Sequence, residues 1–480
     1  MRLSILAKTA IVGALLPCVY FGAASATFLY RIHHANRLGN FSSLSTARTF
    51  DKNCRILIFS PHPDDETLGC AGIIHQAIKA GASVDIVFIT NGDGFRVAVA
   101  RQLREVSIGP DDYIRFADMR QAEAIKADLN LGIPKEKIRF LGYPDRGLMA
   151  MWNENWETNN PYLSPYTYKT TSPYKVSYTR SATYSGTSLL SDISTVIKDV
   201  RPTDIFVTHP SDDHMDHTAA SAFVRLATDR YNDRSTSKSG WASLHYYLVH
   251  RGDWPVPQGT AKKDSLVPPD EMLALDTKWR GVALTPEDTN RKEATILKYE
   301  TQTAVTKRFL VSFARSNEFY GDLTEINVPI VLNDQIVADG AIGDWKGIKP
   351  AIQDPINDNL IRDFQRGGDV RNVYLCRDSK NLYIRVDTAS EVSNNAEFTL
   401  RIRYFGDEKT GRPGGFKTIK VKPPRSVEPA EYHSVVSGNR LEIAIPLHDL
   451  GYCKELALNV ETSIAGFLID RTGYRFVKLP

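Results

Sequence analysis

The sequence predicts a parallel α/β sheet with helices on both faces, followed by a C-terminal β-sandwich. Three observations predict it. Short continuous apolar runs alternate with segments of helical spacing from Arg55 to Tyr231. Beyond about Glu325 that spacing gives way to apolar residues at every second position. The chain is 480 residues long, 42% hydrophobic and 24% charged, a globular balance too long for one ordinary domain.

Taken in order, the N-terminus comes first. Thr9–Tyr30 is a 22-residue stretch without charge. Roughly 20 apolar residues span a bilayer, while Ala24-Ser25-Ala26 has the small-x-small form of a cleavage site. Residues 1–30 therefore read as a signal peptide or a membrane anchor. Either one delivers the remainder outside the cytosol, secreted or held at a membrane. Residues 31–52 are polar, without apolar period, and read as a linker.

Residues 53–325 carry the α/β pattern. Ile56-Leu57-Ile58-Phe59 is a strand covered on both faces. Thr67–Ala80 has helical spacing and stops at Gly81. Val84–Thr90 is a second strand, closing on Asn91-Gly92-Asp93-Gly94. Helices are expected over 96–107 and 113–131, a strand over Ile138–Leu141 and a helix over Leu189–Val200. Ile205–Thr208 is a fourth strand, with a helix over Thr218–Tyr231. Strands and helices that alternate in this way make a Rossmann-like sheet, whose ligands sit at the carboxyl ends of the strands.

Those ends carry the chemistry. The first strand runs into Pro61-His62-Pro63-Asp64-Asp65-Glu66, the fourth into His209-Pro210-Ser211-Asp212-Asp213-His214-Met215-Asp216-His217. One His and one Asp from the first loop with one His from the second make a three-ligand set with an open fourth position, the arrangement of catalytic zinc. A remaining carboxylate can take a proton from metal-activated water, and a remaining His can donate to an oxyanion. The alternative reading of the first loop is a helix N-cap with a satisfied His. Two such loops at converging strand ends are harder to explain as caps.

These two motifs resemble those of the zinc-dependent N-acetylglucosamine deacetylases, the LmbE-like or PIG-L-type superfamily, over about 54–321. The resemblance implies that His62, Asp65 and His217 hold Zn2+ or another divalent metal. It implies Asp64 as general base, and His214, oriented by Asp216, as oxyanion stabiliser or acid. Met215 stands where the family often has Pro, a change in loop stiffness rather than in ligation. His209 falls outside the matching triplet and reads as structural or supporting. Arg120 and Asp145 match weaker family positions near the sugar; alone they read as a surface pair with Glu123 and as a turn residue.

Residues 152–184 hold eight of the chain's 47 aromatics. A wall of sugar-stacking rings led by Trp152 and Trp156 is one reading; rings packed beneath a surface loop is the other.

Residues 328–480 alternate over several short strands, including Val373–Cys376, Leu382–Val386, Phe398–Tyr404 and Leu456–Val460, as a β-sandwich requires. Asp339–Trp345 and Ile445-Pro446-Leu447 resemble a family 9 carbohydrate-binding module. Trp345 is then a sugar platform or a core residue. Cys376 and Cys453 are a candidate pair if the compartment is oxidising, a choice that the sequence leaves open.

The function expected is hydrolysis of the N-acetyl group of an N-acetylglucosamine-containing glycoconjugate or polysaccharide, releasing acetate. The alternatives are a de-N-acetylase of a lipid-linked N-acetylglucosamine and a catalytically idle carbohydrate-binding surface protein. With 59 Lys and Arg against 56 Asp and Glu, the chain lacks the basic field of a nucleic-acid binder. Five cysteines exclude a disulfide scaffold.

Overall fold

The computed structural model describes residues 41–234, 240–273, 275–356, 366–406, 414–423, 427–428 and 432–480. The apolar stretch Thr9–Tyr30 lies outside the described residues, among which no helix is long and apolar enough to cross a membrane.

The first sheet has eight strands in the order β1-β7-β8-β6-β5-β2-β3-β4. They are β1 (Ser45–Thr46), β2 (Arg55–Ser60), β3 (Ser83–Thr90), β4 (Ile138–Tyr143), β5 (Asp204–Thr208), β6 (Ser243–Tyr247), β7 (Thr277–Ala283) and β8 (Asn317–Leu323). Strands β6-β5-β2-β3-β4 are parallel, as the apolar runs require. The sheet is nevertheless mixed, because β8 runs antiparallel to both β6 and β7. Ser45–Thr46, inside the stretch read as a linker, adds the edge strand beside β7.

The continuous apolar run of β2 is divided between two cores. Ile56 and Ile58 join one buried cluster, Leu57 and Phe59 the other. On the first face lie α1 (Asp65–Lys79) and, beyond α2 (Arg96–Leu103), α3 (Pro110–Leu131). On the second lie α4 (Leu148–Asn153), α5 (Gly186–Val200) and α6 (Met215–Asp233). After the one-turn α7 (Asp270–Leu273), α8 (Pro286–Ile296) and α9 (Glu300–Val311) return to the first face. Strands β3 and β4 lead to one side of β2, and β5 and β6 to the other. The order therefore reverses between β2 and β5, the switch point where α/β sheets bind ligands.

The C-terminal part holds two further sheets. After β9 (Ile326–Asn327), one has the order β10-β11-β12-β17-β16 and the other β15-β14-β13-β18-β20-β9, with β19 beside β18. The strands are β10 (Pro350–Gln353), β11 (Val370–Arg377), β12 (Asn381–Thr388), β13 (Ala396–Tyr404), β14 (Gly415–Val421), β15 (Val427–Glu428), β16 (His433–Ser437), β17 (Arg440–Pro446), β18 (Glu455–Ile464), β19 (Phe467–Arg471) and β20 (Arg475–Lys478). Phe398, Leu400 and Ile402 of one sheet and Ile384 and Ile443 of the other bury into a single cluster. Trp345 is 3% exposed and packs with Cys376 and Tyr383, which leaves no face for a sugar platform. Cys376 and Cys453 are free thiols, the first in the Trp345 cluster and the second against the shared core, so the expected pairing does not occur.

Candidate metal centre and active site

The first loop is tied to itself. The His62 N–H donates to Asp65 Oδ2 at 3.0 Å, and Ser60 Oγ donates to the His62 carbonyl at 2.6 Å. Asp64 caps α1 with φ at 126°, a region that costs a non-glycine residue about 1–3 kcal/mol. In the second loop His214 caps α6, its Nδ1 accepting the Asp216 N–H at 3.2 Å.

The two loops meet across the switch point. His62 Nδ1 lies 3.2 Å from Asp65 Oδ2 and 3.2 Å from His217 Nε2, and His217 Nε2 lies 3.1 Å from Asp65 Oδ2. Donors bound at roughly 2.0–2.1 Å in tetrahedral geometry stand about 3.3 Å apart, so this triangle fits one zinc-sized cation. The far nitrogens agree. His62 Nε2 faces Asp145 Oδ1 at 3.2 Å and Asp216 Oδ2 at 3.3 Å. His217 Nδ1 is 3.2 Å from Asp212 Oδ1, close enough to pair though off the line of a hydrogen bond. Burial opposes charge on both rings, but the carboxylates around them outweigh it, raising the pKa of His62 well above the ordinary value and that of His217 to about 9. A cation would displace the inner protons, and the carboxylates behind the rings would then hold the outer ones. His214 and His250 border the same space in other three-donor groupings with these residues.

Asp64 sits beside the triangle. Burial lifts its carboxyl to about 8 against the pull of Arg120, whose Nη2 is 3.4 Å away. Glu66 accepts from the Asp64 N–H at 3.2 Å and from the Tyr299 hydroxyl. The His214 ring meets His62 edge-on at 4.7 Å. Burial, reinforced by neighbouring histidines, keeps it neutral by lowering its pKa well below the ordinary value. Since its Nδ1 accepts, the neutral ring carries its proton on Nε2.

Residues 57–228 match the family model described as PIG-L, GlcNAc-PI de-N-acetylase. A PIG-L-type domain occupies that part of the chain. A deacetylase of 1D-myo-inositol 2-acetamido-2-deoxy-alpha-D-glucopyranoside from Tsukamurella paurometabola is 26% identical over 267 residues, 52% of this chain and 84% of the relative. Among solved structures, the N,N'-diacetylchitobiose deacetylase of Pyrococcus horikoshii aligns over 62% of this chain and 91% of its own, with TM-score 0.34 and 15% identity. A deacetylase of the teicoplanin biosynthesis pathway aligns over 56% and 96%, with TM-score 0.36 and 15% identity.

Within the PIG-L domain, His62, Asp64, Asp65, His214, Asp216 and His217 come together, but several expected roles change. The Asp216 carboxylate faces His62, not His214, and accepts the N–H groups of Arg146 at 2.5 Å and Leu148 at 3.1 Å. Only its backbone touches the His214 ring. Arg120 is 3% exposed and spends its guanidinium on the Gly92 and Pro63 carbonyls and on Asp64, so it holds the first loop instead of facing a sugar. Asp145 stands behind His62 and accepts the Gly94 N–H at 2.7 Å. Trp152 is 0% exposed, ringed by Phe223, Phe405, Tyr474 and Phe476. Trp156 lies between Phe223 and the Arg403 guanidinium, 3.9 Å from its ring centre. Both tryptophans are packing residues, because their faces are already covered. Among the rings of 152–184, buried Tyr174 reaches the site through Asp93, and half-buried Tyr162 and Tyr166 lie over Gly147 and Gly94 respectively. His209 is a structural residue, bonded to Thr277 Oγ1 at 3.0 Å and stacked on Trp279.

Sequence reasoning missed three members. His250 follows β6 and has no motif around it. Asp212 lay inside the second motif without a role; it accepts the N–H groups of Val249 and His250 at 3.1 and 2.9 Å. Asp93, lifted by burial to about 7, accepts the Asp145 N–H and the Tyr174 hydroxyl. A carboxylate in the turn that closes the second strand was its available signal.

Proposed function

We propose that the chain hydrolyses the N-acetyl group of an N-acetylglucosamine-containing glycoconjugate or polysaccharide, releasing acetate, with zinc or another divalent cation held by His62, Asp65 and His217. That it is a hydrolase of N-acetyl amide bonds rests on the PIG-L match and the deacetylase relative. The observation that carries the reading is the 3.1–3.2 Å donor triangle with Asp64 beside it.

A cation held there by His62, Asp65 and His217 would supply a lowered pKa for bound water and polarisation of the acetyl carbonyl. In its ionised form Asp64, desolvated and held by Arg120, takes a proton from the attacking water and delivers it to the amine nitrogen as the C–N bond breaks. His214 offers its Nε2–H to the oxygen on which negative charge develops. Tyr162 and Tyr166 are the rings placed to meet the sugar. The family description supports a second reading, a lipid-linked N-acetylglucosamine as substrate. The uncharged stretch Thr9–Tyr30 supports an activity outside the cytosol, anchored or secreted.

Acetate release by the zinc-loaded full chain on chitooligosaccharides and on a lipid-linked N-acetylglucosamine tests this. Activity is expected on at least one, and Asp64→Asn should lower kcat about 10²–10⁴-fold while the metal stays bound. Retained metal with no acetate from any such substrate would overturn the reading.

A further inference from the structure

The C-terminal sheets reach the metal centre by two routes. In the first, β13 supplies Arg403, which is 4% exposed. Its Nη2 donates to the Trp152 carbonyl, and its guanidinium lies 3.9 Å from the Trp156 ring centre and 4.9 Å from that of Phe416. Tyr474, between β19 and β20, donates its hydroxyl to Asn153 Oδ1 at 2.5 Å. Trp152 and Asn153 end α4. The other end of this six-residue helix is where the Arg146 and Leu148 N–H groups grip the Asp216 carboxylate, which backs the far nitrogen of His62. One short rigid helix thus joins Arg403 and Tyr474 to a proposed metal ligand.

In the second route the turn after β19 presses on the loop that carries His214 and His217. Arg471 donates to the Asp213 carbonyl. Gly473, with φ at +66°, lies so close to that loop that a Cβ there would stand 2.1 Å from the Pro210 carbonyl oxygen. Side chains and backbone of the C-terminal sheets therefore bear on both halves of the donor set.

We propose that Arg403 and Tyr474 are positioning residues of the metal centre, and that the C-terminal sheets complete the active site instead of serving as a detachable sugar-binding module. The inference rests on the reading of His62 and His217 as metal ligands. Arg403 suits the task because burial lowers its pKa only to about 10, so it stays charged, and its donors meet carbonyls rather than a carboxylate. A charged fork on the last turn of α4 fixes that turn's position as well as its burial.

The test compares full-length wild type, Tyr474→Phe and Arg403→Lys, with Cys376→Ala in the Trp345 cluster as control. Zinc affinity is measured by chelator competition, alongside kcat, KM and Tm. Both interface variants should bind zinc about tenfold more weakly, as losses behind a metal ligand do, and lose kcat with KM unchanged. The control should keep wild-type zinc affinity. Tyr474→Phe removes one hydroxyl, so it serves where Arg403→Lys fails to fold. A fall in Tm with wild-type zinc affinity and kcat in both variants would overturn the proposal. A zinc shift in a chain that deacetylates nothing would leave this inference standing and sink the proposed function instead.

Discussion

Asp64 holds a backbone conformation that favours glycine, yet carries a carboxylate that pairs with Arg120 instead of backing a histidine ring of the donor triangle. Strain of this kind persists where the surroundings over-determine it, here through Arg120 and the Glu66 acceptor. The residues behind the proposed ligands make a sharper prediction. Asp212 joins His217 Nδ1 to the backbone of Val249 and His250, so its charge and its position both act on one proposed ligand. Asp212→Asn should weaken zinc binding about 10–100-fold in chelator competition, and an unchanged affinity would remove Asp212 from the site. The donor set was legible because each loop holds its residues within a few positions. What the carboxylates face was not: Asp145 and Asp216 were named, for a sugar and for His214, but both back His62, and strand order brings Asp145 there from beyond β4. Trp152 shows the opposite failure. Its ring is apolar wherever it stands, and nothing local tells a sugar platform from a core residue covered by strands some 250 residues on.

The parallel strands were legible because apolar runs feeding both cores have no polar period to confuse them. Helix ends moved by a few residues, as at Gly186–Val200 against the expected start at Leu189. Strands β6 to β8 escaped, since Thr277–Ala283, second from the edge of the sheet, mixes exposed Lys278 and half-buried Arg280 with buried Trp279 and Val282. Yet β6 and β8, with β5, bring a histidine between two carboxylates. His245 of β6 lies 2.7 Å from Asp322 Oδ1 of β8 and 3.2 Å from Asp204 Oδ1 of β5. Burial disfavours its charge, but the two carboxylates outweigh burial and raise its pKa above the ordinary value. A raised histidine pKa gives stability that is complete below the unfolded value of about 6.5 and is lost as pH rises through the folded value. The Tm advantage of wild type over His245→Gln should therefore be largest below about pH 6.5 and shrink in alkaline buffer. An advantage that grows with pH would mean the imidazole is buried neutral.

At the scale of the molecule the informative contact is Trp152. Interfaces between domains of one chain are usually polar and permit motion, but this one buries a tryptophan completely among Phe223, Phe405, Tyr474 and Phe476. Tyr474 and Ala457 belong to the same buried cluster as Leu57 and Phe59 beneath the donor triangle. Arg475 adds an ion pair to Asp276, and β20 pairs with β9 where the chain leaves the first sheet. Chains of several domains commonly unfold in steps. Here neither part can open without exposing the other's core, so calorimetry should record one cooperative transition for the full chain. Gly473→Ala, forced against the Pro210 carbonyl, should cost about 1–3 kcal/mol and lower that single transition as a whole. Two resolved transitions, with Gly473→Ala moving only one, would show that the sheets and the PIG-L domain are stable apart and that the buried tryptophan does not join them.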